Sequence, residues 1–127
     1  MADPAGDVHY MTPEPSYVKR VAVKTGTRVT VLSTDDIDWI EAAGDYLRLH
    51  CQGVRHLLRG SLESLLPTLD PREFVRVHRS HIVKIGQIAH LTPMTHGDFE
   101  VGLRDGSTVR MSRRYRSSVQ QAVGFGF

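Results

Sequence analysis

Apolar and polar residues alternate along this chain in short runs, and the runs are separated by pairs of turn-forming residues. Val21 and Val23 alternate with Ala22 and Lys24, Thr25-Gly26 interrupts, and Val29 and Val31 alternate with Thr30. That pattern predicts a hairpin with one buried face made by these four valines. Ser33 and Asp36 have the spacing of a capping box around one helical turn. Ile37 to Ala42 is short and reads as extended. From Tyr46 to Cys51 the alternation is strict: Leu47, Leu49 and Cys51 on one side, Tyr46, Arg48 and His50 on the other. Gln52-Gly53 then turns the chain into Val54 to Leu58, a second hairpin.

The period changes after Gly60-Ser61. Leu62, Leu65, Leu66 and Leu69 recur at helical spacing, and Pro67 limits that helix to about two turns. Asp70-Pro71 predicts one further turn before Phe74. Val75 and Val77 share a strand face, and Ile82, Val83 and Ile85 read as the next strand. Gln87 to Leu91 is a strand closed by Pro93, Thr95-His96-Gly97-Asp98 is a turn, and Asp105-Gly106 joins strands Phe99 to Leu103 and Thr108 to Met111. Ser112 is placed to cap a terminal helix with Tyr115, Val119 and Ala122 on one face. Eight to ten short strands with one or two short helices predict a mainly β, compact antiparallel sandwich-like domain. No helix pair of helix-turn-helix length is predicted.

Composition bounds the function. With 127 residues the chain has room for one domain. Met1 to Ser16 carries Pro4, Pro13 and Pro15 and reads as a disordered lead or linker remnant, leaving 17–127 as the domain. The single cysteine, Cys51, lies on the leucine face and reads as a small core residue in a reducing, cytoplasmic setting. A net charge of +2 says little, but its distribution says more. Residues 35 to 45 hold five acids and no base, whereas residues 107 to 127 hold Arg110, Arg113, Arg114 and Arg116 and no acid. Clustered arginine suits a phosphate backbone, although such runs are also ordinary solvated surface.

Between Val77 and Ile82 lies a basic knuckle, His78-Arg79-Ser80-His81, framed by apolar strands. It can present rigid donors to an anion or be a plain charged loop. Seven histidines raise a metal or acid–base hypothesis, with His78-x-x-His81 as the chelating pair and His50 and His56 facing each other across a hairpin. No paired cysteine and no carboxylate stands at zinc-like spacing beside them. Neither a nucleophile elbow nor a phosphate-binding glycine loop occurs, so no enzyme activity and no cofactor is expected.

Arg76-x-His78-Arg79-Ser80-x-x-Val83 resembles the signature of LytTR-type DNA-binding domains. The resemblance extends from Ile37–Tyr46 to Ser112-Arg113-Arg114-Tyr115 and covers roughly residues 19 to 123. It implies a compact all-β unit that reads double-stranded DNA through loops, in a bacterial transcriptional regulator. It places Arg79, Arg114, Asp45 and Tyr46 at base edges, where an arginine fork matches guanine O6 and N7. Asp45 stands where many members have Asn, and Lys84 where the family often has Asn. Arg76, His78, Ser80, Arg113 and Arg116 become phosphate-contacting or positioning residues, with His78 read as hydrogen-bonded to the knuckle. Amides at the helix start near Ser112 add a possible anion site. The resemblance further implies binding in pairs to promoter repeats, and a receiver, sensory or membrane module in a full-length chain. The competing readings are an RNA- or protein-binding β module and a histidine–metal enzyme.

Overall fold

The computed structural model describes residues 16–124 and 126–127, so the reading of residues 1 to 15 as a lead lies outside the described residues. The first hairpin pairs β1 (Arg20–Thr25) with β2 (Arg28–Ser33) as a separate two-stranded sheet. A five-stranded sheet follows. It is built from β3 (Trp39–Ala43), β4 (Tyr46–Cys51), β5 (Val54–Arg59), β6 (Phe74–His78) and β7 (His81–Lys84), in the order β5-β4-β3-β7-β6. The last three strands, β8 (Ile88–Pro93), β9 (Phe99–Leu103) and β10 (Thr108–Met111), form a sheet in the order β10-β9-β8. All strand pairings among the described residues are antiparallel. Two short helices complete the domain, α1 (Leu62–Leu65) and α2 (Arg116–Val123).

The five-stranded sheet is the middle of three layers, which is why the core has two halves. One half joins Val21 and Val23 of the first hairpin to Ile40, Leu47, Leu49, Phe74 and Ile82, with Leu62 and Leu69 closing its side. The other joins Trp39, Val75, Val77 and Val83 to Phe99, Val101, Val109, Met111 and Val119. Strands covered on both faces carry adjacent buried residues, as in Trp39-Ile40, Phe74-Val75 and Ile82-Val83. β4 is covered on one face at its centre and keeps the strict alternation its sequence shows.

Several local expectations are met in detail. The second hairpin turns on Gln52 and Gly53, both left-handed at φ 50° and 86°, as a two-residue hairpin of the favoured twist requires. Ser61 and Ser64 form a reciprocal capping box on α1, and a 3-10 turn over Leu66–Thr68 takes Pro67 in its first turn. Asp70 accepts from the Arg72 amide at 2.9 Å, which makes the turn before Phe74.

Four expectations are corrected. Val29 and Val31 do not join the buried face; they are 57% and 61% exposed. The two-residue turn pairs Thr25 with Arg28, so Val23 lies opposite Thr30 and Val21 opposite Leu32. Parity therefore turns Thr30 and Leu32 inward and the valines outward. Ser33 does cap the turn over Thr34–Asp36, but Asp36 does not return the bond and instead accepts from Gln52 Nε2 at 3.2 Å. Ile85 leaves its strand and opens a 3-10 turn over Ile85–Gln87. Ser112 makes no side-chain cap, and the helical segment begins as a 3-10 turn over Arg113–Tyr115 before α2.

Candidate nucleic-acid interface

Strand register brings the three sequence motifs to one end of the middle sheet. Ala43 pairs with Tyr46, so Gly44-Asp45 is a two-residue turn closing β3 to β4, with Gly44 left-handed at φ 64°. β3 runs antiparallel to β7 with Glu41 opposite His81, and the Ala42 amide donates to the Ser80 carbonyl at 2.9 Å. The Gly44-Asp45 turn and the Arg79-Ser80 turn are therefore neighbours. The Ser112 amide donates to the Val77 carbonyl at 3.0 Å, which ties the Arg113-Arg114 turn to the same edge.

The knuckle is held rigidly from within. A bulge between Arg76 and His78 bends β6, and His78 then pairs with His81 across the Arg79-Ser80 turn. His78 Nδ1 accepts from the Ser80 amide at 3.1 Å, so the ring serves the knuckle as expected. Burial, reinforced by the nearby His81 and Arg79, pushes the His78 pKa below its ordinary value and keeps Nδ1 free to accept. His81 is pushed down by burial as well. Arg76 is 15% exposed and donates to the His78 carbonyl at 3.1 Å, to the Arg79 carbonyl, and to Glu63 Oε2 at 2.8 Å. Its guanidinium also lies 5.8 Å from the centre of the Tyr115 ring, and Arg114 lies 5.7 Å from that ring. Tyr115 thus sits between the knuckle and the terminal turn.

A fourth loop closes the arrangement, and it was not singled out by sequence. Phe99 pairs with both Met111 and Pro93, which brings the loop from Met94 to Asp98 beside Ser112. Asp98 Oδ2 accepts from Arg110 Nη2 at 2.6 Å and Nε at 3.2 Å, and Oδ1 accepts from the Arg113 amide at 3.1 Å. The Arg110 guanidinium, then the Arg113 amide, hold this carboxyl below the usual carboxylate range. Asp98, in place of Ser112, supplies a side-chain acceptor at the start of the helical segment, and the Arg113 amide it takes is one of those offered above as a possible anion site.

The exposed positions at this end are Asp45, Arg79, Arg113, Arg114 and Arg116, with Tyr46 at 42% exposure. Arg79, Arg113, Arg114 and Arg116 have no ion pair among the described residues. Arg116 lies over Phe99 and Phe127, 5.3 and 5.7 Å from their centres. Ser80 is half-buried. Arg59 belongs to this end as well: it pairs with Tyr46 and stacks over its ring at 5.7 Å. Its signal was present in the sequence, because the Gln52-Gly53 turn fixes Cys51 opposite Val54 and hence Tyr46 opposite Arg59.

Three residues of interest lie away from this end. Lys84 is buried, donating from Nζ to the Thr34 carbonyl at 2.6 Å with Phe74 beneath it, so it braces β7 against the chain leaving β2. His50 and His56 do not face each other: His56 pairs with Leu49 and His50 with Arg55, which puts the two rings on opposite faces. His50 instead stacks on Trp39 at 3.8 Å and bonds Glu41 at 2.9 Å. Among the described residues no group of three histidine, cysteine or carboxylate side chains is placed to hold a metal ion, and no helix is long and apolar enough to cross a membrane.

Comparison with known proteins gives the same picture. The family model of the LytTr DNA-binding domain matches residues 27–124. The regulatory protein BtsR of Escherichia coli is 28% identical over 122 residues, spanning 93% of this chain and 48% of its own length. A response regulatory protein of Vibrio cholerae is 32% identical over 85 residues, which is 64% of this chain and 33% of that protein. The CO-responsive transcriptional regulator RcoM of Rhodospirillum rubrum is 32% identical over 74 residues, 58% of this chain and 31% of that protein. The chain therefore spans less than half the length of these relatives. A solved LytTr DNA-binding domain from Bacillus cereus superposes with a TM-score of 0.77 at 25% identity, covering 85% of this chain and 99% of the other. The mainly β, antiparallel architecture, the ordered motifs and the matched span all point one way: the chain belongs to the LytTR family, the DNA-binding domains of transcriptional regulators.

Proposed function

We propose that this domain reads promoter repeats in double-stranded DNA through the turns gathered at one end of its middle sheet. Arg79, Arg114, Asp45 and Tyr46 reach base edges, and Arg113, Arg116 and Ser80 contact phosphates. Arg76 and His78 act as positioning residues that hold the knuckle. The observation that carries this reading is that Arg79 and Arg114, both exposed and without ion pairs among the described residues, sit on turns tied to one strand, β6. A guanidinium held at a rigid turn loses less entropy when it docks on guanine. Single-stranded RNA readers need exposed aromatic platforms, and here Trp39, Phe74 and Phe99 are buried, which favours duplex DNA over the RNA alternative. The domain carries no catalysis of its own in this reading. It works in the cytoplasm, in pairs on DNA, joined in a longer chain to a receiver, sensory or membrane module.

The test is a titration on three duplexes at one fixed salt: a sequence selected by the protein from a random pool, its guanine-to-adenine variants, and random DNA. Arg79→Ala and Arg114→Ala should each lose about 1–3 kcal/mol on the selected duplex and far less on random DNA. Equal losses on all three would reduce both arginines to phosphate contacts.

A further inference from the structure

The outer face of the second hairpin carries a row of cations that none of the three motifs includes. Leu47, Leu49 and Leu58 point to the core on one side of β4 and β5. Tyr46, Arg48, Arg55, Leu57 and Arg59 project from the other side. Register sorts them into rows: Tyr46 with Arg59, Arg48 with Leu57, and His50 with Arg55. The first row is the one that abuts the Gly44-Asp45 turn, since the Gly60 amide donates to the Asp45 carbonyl at 3.0 Å. Lys24 shares a shallow hollow with Tyr46, Leu57 and Arg59 and adds a cation at the same corner.

Acidic neighbours on this face are few. Glu41 forms an ion pair with Arg48 at 3.5 Å and a hydrogen bond with His50 at 2.9 Å, and Arg55 and Arg59 have no ion pair among the described residues. Leu57 and Tyr46, 54% and 42% exposed, lie between the cations. Arg59 and Arg55 stand two rows apart on one strand face, about 13.6 Å, a length over which one strand of duplex DNA presents about four phosphates. The face is thus a cationic ledge running back from the DNA-reading end at a spacing that suits a phosphate backbone.

We propose that Arg55 and Arg59, with Lys24 beside them, form a second contact surface that follows the DNA backbone flanking the recognised sequence. This extends the base-reading function proposed above and rests on it. The ledge makes no base contacts. It lengthens the footprint and adds affinity that does not depend on sequence.

The experiment compares wild type with the double variant Lys24→Ala/Arg55→Ala, which leaves the Arg59–Tyr46 stack at the reading end intact, on two duplexes, one trimmed to the selected sequence and one carrying about ten further base pairs of random sequence on each side. Removing two phosphate ligands should flatten the salt slope on the long duplex by about 1.8, so that the affinity ratio between 50 and 200 mM salt shrinks about twelvefold. The trimmed duplex should be bound as by wild type, and the preference for selected over random sequence should be unchanged. A charge-reversed Lys24→Glu/Arg55→Glu variant should show a larger loss, again only on the long duplex. Equal behaviour of variant and wild type on the long duplex, or equal losses on both duplexes, overturns the ledge. Failure of the base-reading function appears differently, as wild-type protein that does not distinguish selected from random DNA.

Discussion

Arg76 offers the sharpest test of how the knuckle is built, because its two possible roles predict opposite measurements. As a phosphate contact it would matter only when DNA is bound. As a brace it contributes to folding. Its guanidinium is 15% exposed, donates to two carbonyls of the knuckle, and reaches Glu63 at 2.8 Å. A hydrogen bond from a charged donor contributes about 1.5–3 kcal/mol net, but turn carbonyls freed by truncation regain water, which discounts each. The Glu63 partner is 71% exposed, so solvent screens that pair and the two carbonyls carry the effect. Arg76→Ala should therefore destabilise the domain by about 2–3 kcal/mol, and thermal denaturation followed by circular dichroism should show a melting temperature lower by about 10 °C. Arg76→Lys should not rescue it, because one ammonium cannot span both carbonyls and the carboxylate as the planar fork does. The slope of log affinity against log salt should stay as in wild type. An Arg76→Ala protein with unchanged melting temperature and a slope flatter by about 0.9 would refute the brace and make Arg76 a phosphate ligand.

Asp98→Asn removes the charge that holds Arg110 and weakens the acceptor for the Arg113 amide; discrimination between selected and random duplexes should fall, with Arg114→Ala adding little further loss in the double variant. His78 must be neutral at Nδ1 to accept from Ser80, and its folded pKa lies below the unfolded value of 6.5. The unfolded chain then binds the proton first, so stability is full above pH 6.5 and falls as pH drops towards the folded pKa; melting temperature across pH 7.5 to 5 should fall less for His78→Asn than for wild type. Burial, with Asp38 and Asp36 behind it, raises the Cys51 thiol to about 11; a maleimide reagent at pH 8 should leave the native protein unlabelled and modify it rapidly in denaturant.

Much of the fold is legible in the sequence because it is local. Gln52-Gly53 specifies a two-residue turn and Asp105-Gly106 the end of a three-residue one, with Gly106 left-handed, and the strict alternation from Tyr46 to Cys51 specifies which side of β4 is buried. The basic knuckle and the arginines after Ser112 are equally visible, since their residue types and their framing by apolar runs require no partner to be recognised. What the tertiary structure decided is everything that depends on who lies across a strand. Val29 and Val31 look like core residues, yet the turn at Gly26 sets a register in which Thr30 and Leu32 face inward. Arg76 looks like one more surface cation until the bulge in β6 folds it under its own knuckle. Ser112 has the right residue type for a cap, but the acceptor that meets the Arg113 amide is Asp98, 15 residues away in sequence. A side-chain type announces what it can do locally. Which of two competing donors or acceptors it meets depends on packing between distant strands, because hydrogen bonds reach only about 3 Å and a one-residue change of register moves a side chain to the other face.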